Sequence, residues 1–160
     1  MARHVYPCPL RWSDMDAYGH VNNVRFLTLL EEARVALFFV AASEHGVTTL
    51  EGDVVVARHE IDYVAPLTFR PEPVPVETWV ERVGAASATI AYAVRDGVAV
   101  YARARTVVVA FDPAGGHTRR WTEIERGWLE GFYDDATATD DSTATDDSTA
   151  ADGAPTGVIE

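Results

Sequence analysis

The pattern of apolar and polar positions first indicates one long helix. Over residues 22–43 apolar side chains recur at helical spacing, and residues 35–42 are apolar on almost every side. A helix that is apolar all round has to be enclosed by other elements. Gly46, just past its end, is typical of a helix stop. The pattern therefore predicts a helix about 33 Å long at the centre of the molecule.

After this helix the apolar pattern changes to a period of two residues, which is typical of strands. The segments are rich in Val, Ile, Thr, Tyr and Trp, the residues that favour strands. Four strands are predicted, at residues 53–64, 74–83, 87–95 and 98–111. A hairpin signal, Asp96-Gly97, separates the last two. One face of the third strand is predicted to carry Ala88, Ile90, Tyr92 and Val94.

An extended stretch at residues 3–12, a polar loop at 13–19 and a short helix at 122–132 complete the predicted elements. The order strand, long helix and four strands favours an α+β fold in which one antiparallel sheet curls round the helix. One sheet covers only part of an all-apolar helix. A second copy of the chain, paired along a sheet edge or face, is therefore predicted to complete the cover.

The chain after residue 133 has a different composition. It contains a direct repeat, residues 138–143 followed by 144–149, and residues 134–157 include no Leu, Ile, Val, Phe, Trp or Tyr. Such a segment buries too little apolar surface to offset its ordering entropy. We expect a folded domain at residues 1–133 and a disordered acidic tail at 134–160, which serves either as a docking segment or as a solvating appendage.

Charge argues against nucleic acid as a partner. The chain has 25 acidic and 13 basic residues, but eight of the acids lie in the tail, which leaves 17 acids against 13 bases in residues 1–133. Binding to nucleic acid by bulk charge requires a basic patch. All 13 bases are Arg. Any phosphate on a ligand must therefore be held by Arg, His or main-chain N–H groups.

The remaining composition favours a cytoplasmic protein. Cys8 is the one cysteine, so no intrachain disulfide forms, which fits a reducing compartment. The first nine residues contain no apolar signal-peptide region. The longest strongly apolar run, residues 35–42, is far shorter than the roughly 20 residues that cross a bilayer. We expect a cytoplasmic location and no insertion into a membrane.

The most informative chemistry lies just before the long helix, where Asp14, Asp16 and His20 occur close together. The N-terminus of a helix offers unpaired N–H groups and a partial positive charge, which suit a developing oxyanion. A carboxylate placed nearby can attack a carbonyl carbon or activate water. Asp and Asn are also the preferred helix caps, so capping alone is an alternative explanation of the same residues.

The same residues form a recognisable motif. It reads Asp14-x-Asp16-x-x-Gly19-His20-Val21-Asn22-Asn23, followed by Phe26 and by Glu31-Glu32-Ala33-Arg34. This motif closely resembles the signature of the 4-hydroxybenzoyl-CoA thioesterase-like family of hotdog proteins, and the resemblance covers residues 3–130. It implies a hotdog fold, in which an antiparallel sheet wraps round one long central helix. It also implies hydrolysis of an acyl-CoA to a free acid and CoA. Because a lone protomer would leave a sheet edge and the helix underprotected, we expect a homodimer or homotetramer.

The resemblance also implies roles for individual residues. Asp16 matches the family's catalytic carboxylate, as nucleophile or general base. The main-chain N–H near Asn23 matches the donor that polarises the thioester carbonyl. Gly19 would allow a close approach to that carbonyl. His20 occupies a variable position with an open role, and Asn22 and Asn23 are expected to orient water or the carboxylate.

Substrate contacts are predicted less directly. Arg103 and Arg105 lie two residues apart on the last strand and so share a face. They are candidates for contact with the CoA phosphates, followed by Arg58, although solvated strand positions facing other charges are an equal alternative. Phe26 is a candidate for the acyl pocket, and Tyr18 is a further candidate for contact with the substrate. The five His show no paired spacing and there is one Cys, so we expect no metal and no cofactor.

Several alternatives stay open. Asp14 either raises the pKa of Asp16 or holds the loop. Glu31 and Arg34 are expected to form an ion pair at i,i+3 spacing, and His59 is expected to be a structural residue. At the level of function, a non-catalytic acyl-CoA-binding hotdog protein and a hotdog hydratase or dehydratase are the alternatives to a thioesterase.

Overall fold

The computed structural model describes residues 3–135. The strands are β1 (His4–Cys8), β2 (Val54–Tyr63), β3 (Val74–Val83), β4 (Ser87–Arg95), β5 (Val100–Asp112) and β6 (His117–Thr118). The helical elements are a 3-10 turn (Trp12–Asp14), α1 (Asn23–Val35), a π-helical segment (Ala36–Ala41), α2 (Ala42–Glu44) and α3 (Glu123–Glu130). The predicted α+β order is confirmed, and β6 is an element that the sequence pattern did not indicate.

The strands form one antiparallel sheet in the order β1-β3-β4-β5-β2, with β6 paired to the end of β5. Each of β3, β4 and β5 has a neighbour on both sides. β1 and β2 lie at the two edges, and β2 is an edge strand of ten residues. An edge strand of that length presents a row of unpaired main-chain groups.

The sheet buries its inner face against α1. Leu30 and Ala33 of the helix are fully buried there. On β4 the predicted inner face is confirmed, because Ala88, Ile90, Tyr92 and Val94 are all buried. Each large apolar side chain buried in this way contributes about 1.5–3 kcal/mol to folding.

The long helix begins and ends where the pattern predicts, but its second half is not a regular α-helix. The segment Ala36–Ala41 has π-helical hydrogen bonding, which adds a residue to the turn and shifts the following side chains round the axis. Leu37 and Phe38 are buried, whereas Phe39 and Val40 are 36% and 55% exposed. One protomer therefore does not enclose this helix on all sides.

The C-terminal helix α3 is joined to the body by a buried ion pair. Thr122 and Glu125 form a capping box, and both Glu125 carboxylate oxygens accept hydrogen bonds of 2.8 Å from Arg119. Burial alone would raise the pKa of Glu125, but the hydrogen bonds from Arg119 and Thr122 lower it to about 2. The pair therefore stabilises the folded chain through the charged form of Glu125.

The chain stays attached to the sheet as far as the first predicted tail residue. The Asp134 N–H donates to the Val80 carbonyl at 3.0 Å, and the Asp134 carboxylate accepts from Arg3 Nε at 2.8 Å. The rest of the predicted tail, from residue 136, lies outside the described residues. Among the described helices, none is long and apolar enough to cross a membrane.

Candidate active site

A pocket of about 300 Å³ opens beside the N-terminus of α1. The loop before the helix supplies one wall, and the chain that leaves β2 supplies the other. The lining residues are Asp16, His20, Val21, Asn23, Phe26, Tyr63, Val64, Ala65 and Pro66. Four of the predicted site residues, Asp16, His20, Asn23 and Phe26, are therefore brought together here.

The Asp16 carboxylate is held by the main chain of its own loop. Its Oδ1 accepts the N–H of Tyr18 at 2.8 Å and the N–H of His20 at 3.2 Å. The loop closes through Gly19, which has φ of 76° and donates to the Asp16 carbonyl at 3.1 Å. Only glycine adopts that backbone region readily. Asp16 Oδ2 makes no hydrogen bond within the described residues and is available to a ligand.

The loop is attached to the segment that follows β2. His20 forms an isolated bridge with Thr68, and the Val21 N–H donates to the Leu67 carbonyl at 2.7 Å. These main-chain bonds fix the His20 side of the pocket against Pro66 and its neighbours. The position of Asp16 therefore depends on contacts between segments far apart in sequence.

Asp14 has a different environment from Asp16. Its side chain is 1% exposed, and its carboxylate accepts the Arg11 main-chain N–H at 2.8 Å and the Arg11 guanidinium at 3.1 Å. Its carbonyl accepts the N–H of Asn22 at 2.8 Å. Asp14 does not line the pocket. The geometry favours the structural alternative for this residue.

The first turn of α1 leaves one N–H group open. Asn22 Oδ1 accepts the Val24 N–H at 3.0 Å, and the Asn22 carbonyl accepts the Arg25 N–H at 2.8 Å. Asn22 therefore acts as the helix cap. The N–H of Asn23 has no acceptor within the described part of the chain, and Asn23 lines the pocket. An unpaired N–H at a helix N-terminus is a suitable donor to an oxyanion.

Tyr63 is a pocket residue that sequence reasoning missed. Its hydroxyl donates to the Asn23 carbonyl at 2.8 Å, and its ring lies edge-on to Phe26 with centroids 5.5 Å apart. This hydrogen bond ties the end of β2 to the first turn of α1. The available signal was its place in the motif from Arg58 to Pro66, which resembles the family strand after the helix.

Comparison with known proteins decides the family. The model of the thioesterase-like superfamily matches the chain over residues 10–138. The chain belongs to this superfamily. None of the curated proteins compared with the chain matches it.

Solved structures agree with the assignment. A predicted thioesterase from Bacillus stearothermophilus is 26% identical over 82% of this chain and 97% of that chain, with a TM-score of 0.73. A thioesterase from Thermus thermophilus, complexed with coenzyme A and Zn, is 29% identical over 80% of this chain and 92% of that chain, with a TM-score of 0.68. A proposed acyl-CoA thioesterase from Xanthomonas campestris is 34% identical over 75% of this chain and 100% of that chain, with a TM-score of 0.62. The protein is thus a thioester hydrolase of the hotdog fold.

The predicted phosphate contacts of this thioesterase do not lie at the pocket. Arg103 and Arg105 are exposed on β5, on the sheet face opposite the buried Ala104, and Arg105 Nε pairs with Glu81 at 2.7 Å. Arg58 pairs with Glu60 at 2.9 Å on the exposed edge strand. The sheet separates the outer-face arginines from the pocket, because the pocket lies on the helix side.

Two further predictions concern Tyr18 and the Glu31–Arg34 pair. Tyr18 is 84% exposed and is not a lining residue, and its contribution is the main-chain N–H that holds Asp16. The predicted Glu31–Arg34 ion pair does not form among the described residues, since Arg34 donates instead to the Tyr92 hydroxyl at 3.3 Å.

Within residues 3–135 no three His, Cys, Asp or Glu side chains lie close enough together to hold a metal ion.

Proposed function

We propose that this thioesterase hydrolyses an acyl-CoA, with Asp16 as the catalytic carboxylate and the Asn23 N–H as the donor to the carbonyl oxygen. One observation carries the proposal. The free Oδ2 of Asp16 and the unpaired N–H of Asn23 belong to two lining residues of the same pocket. A thioester carbonyl placed between them would meet an attacking group on one side and an oxyanion donor on the other.

Two routes use the same residues. As a general base, Asp16 takes a proton from water, and the water oxygen attacks the carbonyl carbon. As a nucleophile, Asp16 attacks the carbonyl carbon itself and forms an anhydride, which water then hydrolyses. In both routes the carbonyl oxygen gains negative charge, the Asn23 N–H stabilises it, and the C–S bond breaks to release the CoA thiolate. The N-terminus of α1 adds a partial positive charge of about half a unit.

The CoA portion of the substrate is supported by the relatives. The Thermus thermophilus thioesterase was solved with coenzyme A, and the Xanthomonas campestris protein is a proposed acyl-CoA thioesterase. Arg58, Arg103 and Arg105 stay predictions for contact with the CoA phosphates. None of them lines the pocket of one protomer, and both Arg58 and Arg105 already have carboxylate partners.

Replacement of Asp16 by Asn tests the proposal. Asn keeps an oxygen for the N–H groups of Tyr18 and His20 but cannot accept a proton or attack efficiently, so kcat should fall by about 10²-fold or more while acyl-CoA binding is retained. Release of free thiol from a panel of acyl-CoAs measures kcat, and calorimetry measures binding. The matched control is Asp62→Asn, on the exposed side of β2.

The outcome separates the enzyme from its alternative. Loss of turnover in Asp16→Asn alone supports Asp16 as the catalytic carboxylate. Near-normal turnover in that variant contradicts the assignment. Binding of acyl-CoA without hydrolysis by the unaltered protein would favour the non-catalytic acyl-CoA-binding alternative.

We also propose that the protein is cytoplasmic and that it works as a homodimer or homotetramer. Cys8 is a free thiol, and its burial raises its pKa to about 11, which keeps it protonated and makes it a weak nucleophile. The unpaired edge of β2 and the exposed Phe39 and Val40 support an assembly, because a second copy would cover them.

A further inference from the structure

The inner side of β2 is partly exposed, and we call the strip between this strand and α1 the groove. The helix α1 packs mainly on β1 and β3, towards the edge of the sheet opposite β2. On β2 the side chains of His59, Ile61 and Tyr63 alternate onto the inner face. His59 and Tyr63 are exposed and Ile61 is half-buried, so the helix covers this strand only in part.

The groove continues from the candidate active site. At one end Tyr63 meets Phe26 in the pocket. At the other end His59 interacts electrostatically with Arg34 and Glu31. The four residue steps from Tyr63 to His59 span about 13 Å of strand, and the eight residue steps from Phe26 to Arg34 span about 12 Å of helix. Strand and helix therefore flank the groove over the same length.

The floor of the groove changes from apolar to polar along this length. Ile61 and Leu27, between the two ends, are apolar residues packed against the core. At the far end a chain of hydrogen bonds links side chains of α1, β4, β5 and β2. Arg34 donates to the Tyr92 hydroxyl at 3.3 Å, Tyr92 interacts with the Thr106 hydroxyl, and Thr106 Oγ1 lies 2.9 Å from His59 Nδ1.

This series sets the hydrogen-bonding role of His59. The side chains of Tyr92 and Thr106 are 1% and 0% exposed, so their hydroxyls depend on protein partners. Arg34 can only donate, so the Tyr92 hydroxyl accepts from Arg34 and donates its own proton to Thr106. The Thr106 hydroxyl then donates to His59 Nδ1. The proton of the neutral ring then lies on Nε2, which faces away from Thr106 as a donor. Burial and Arg34 both lower the pKa of His59, which favours the neutral ring.

We propose that the groove holds the acyl group of the substrate and that its far end binds a hydroxyl group on the distal part of that acyl group. His59 Nε2–H donates a hydrogen bond to the hydroxyl oxygen, and the nearby Glu31 carboxylate accepts a hydrogen bond from the hydroxyl group. A distal carboxylate would be repelled by Glu31, and a distal methyl group would leave His59 and Glu31 desolvated without partners. The proposal rests on the proposed function, because it specifies the acyl group that the same site hydrolyses.

The selectivity between matched acyl-CoAs tests the proposal. The panel contains straight-chain acyl-CoAs of several lengths, each with a terminal methyl, hydroxyl or carboxylate, together with a single-ring hydroxyaroyl-CoA. At the length that spans the groove, the unaltered enzyme should prefer the hydroxyl to the methyl by about tenfold or more in kcat/KM. His59→Leu should abolish that preference while methyl-terminated substrates are still hydrolysed. His59→Gln, which keeps a donor, should retain part of it.

Two further variants test the orientation of His59 and provide a control. Thr106→Val removes the hydroxyl that orients His59 and should weaken the preference. His117→Leu is a matched control, because His117 is exposed on β6 and lies outside the groove. A hydroxyl preference that survives His59→Leu overturns the proposal. In the unaltered enzyme, equal activity on methyl- and hydroxyl-terminated chains also overturns it, and so does a preference for the short hydroxyaroyl-CoA. Absence of hydrolysis with every acyl-CoA would overturn the proposed function as well, which distinguishes the two failures.

Discussion

At the scale of single residues, the two aspartates before the helix illustrate how environment assigns roles. Asp14 and Asp16 are separated by one residue, yet Asp14 is buried against Arg11 whereas Asp16 lines a pocket with one oxygen free. A buried carboxylate whose oxygens are all engaged stabilises structure. A carboxylate held at one oxygen, with the other facing a ligand site, is suited to chemistry.

The contrast predicts opposite effects of substitution. Asp14→Ala leaves the partly buried Arg11 N–H without its acceptor and removes the ion pair with Arg11, so the free energy of unfolding should fall by about 1–3 kcal/mol. Asp16→Asn should leave the free energy of unfolding nearly unchanged while kcat falls. Thermal or urea unfolding beside the thiol-release assay measures both quantities. A catalytic loss without destabilisation in Asp14→Ala would assign Asp14 a chemical role instead.

Tyr63 provides a second prediction at this scale. Tyr63→Phe removes the hydroxyl bonded to the Asn23 carbonyl but keeps the ring against Phe26. The first turn of α1 then loses one restraint beside the open N–H of Asn23. We expect kcat to fall about 3- to 10-fold, in line with the loss of one hydrogen bond, with KM little changed.

The split between kcat and KM is the decisive readout for Tyr63. A rise in KM with normal kcat would make Tyr63 a substrate-binding residue rather than one that positions the helix N-terminus. Tyr133→Phe is a suitable control, since Tyr133 is exposed at the end of the described chain and lies outside the pocket.

At the scale of elements, the long helix combines two kinds of turn. Its α-helical first half carries the cap Asn22 and the open N–H at the pocket, so its geometry is set by capping. Its π-helical segment shifts the side chains and places Phe39 and Val40 towards solvent. The first turn of the helix is therefore capped within one protomer, while the far end keeps exposed apolar side chains.

The attachment of α3 predicts a pH dependence of stability. The pKa of Glu125 falls from an ordinary value of 4.5 to about 2 on folding, because the bonds from Arg119 and Thr122 outweigh burial. A lowered folded-state pKa stabilises the fold above about pH 4.5, and that contribution is lost as the pH falls towards about 2. We expect Tm to fall steeply over this window.

Substitution of Glu125 isolates its contribution. Glu125→Gln should lower Tm at neutral pH, because Arg119 loses its charged partner, and should make the acid-induced fall in Tm shallower. Glu123→Gln, on the exposed side of the same helix, should follow the unaltered protein. Identical pH profiles for all three proteins would show that the acid transition arises elsewhere.

At the scale of the whole molecule, the two edge strands of the sheet differ in length and exposure. β1 is a short edge strand joined to α1 and β3, whereas β2 is long and mostly exposed. Exposed apolar residues cluster on and near it, including Val55 and Val56. Such an edge is a template for pairing with another chain, which is the physical basis of the proposed homo-oligomer.

A charge on this edge should oppose assembly. Val55→Lys places an ammonium group on the exposed edge, and we expect the molar mass from light scattering to shift towards that of one chain. Val98→Lys is the matched control, because Val98 is 92% exposed in the turn between β4 and β5. An unaltered mass in Val55→Lys would place the interface on another surface.

Much of the fold could be predicted from local patterns. The predicted strands at residues 74–83 and 87–95 are confirmed as Val74–Val83 and Ser87–Arg95, and the long helix lies where its apolar period indicated. In the candidate site, the motif indicated Asp16, Asn23 and Phe26, and the fold brings all three to one pocket. Arg103 and Arg105 were expected to share a face, but no local pattern tells which side of a sheet faces the ligand.

The sequence by itself determined most of the elements, the fold class and the family motif, because apolar periodicity, caps and turn residues act over a few neighbouring positions. Only the tertiary structure decided that Tyr63 reaches the Asn23 carbonyl and that His59 reaches Thr106. It also decided that Arg105 faces Glu81 rather than the pocket. These pairings join residues that are distant in sequence, and they depend on strand order, strand register and the placement of the helix across the sheet.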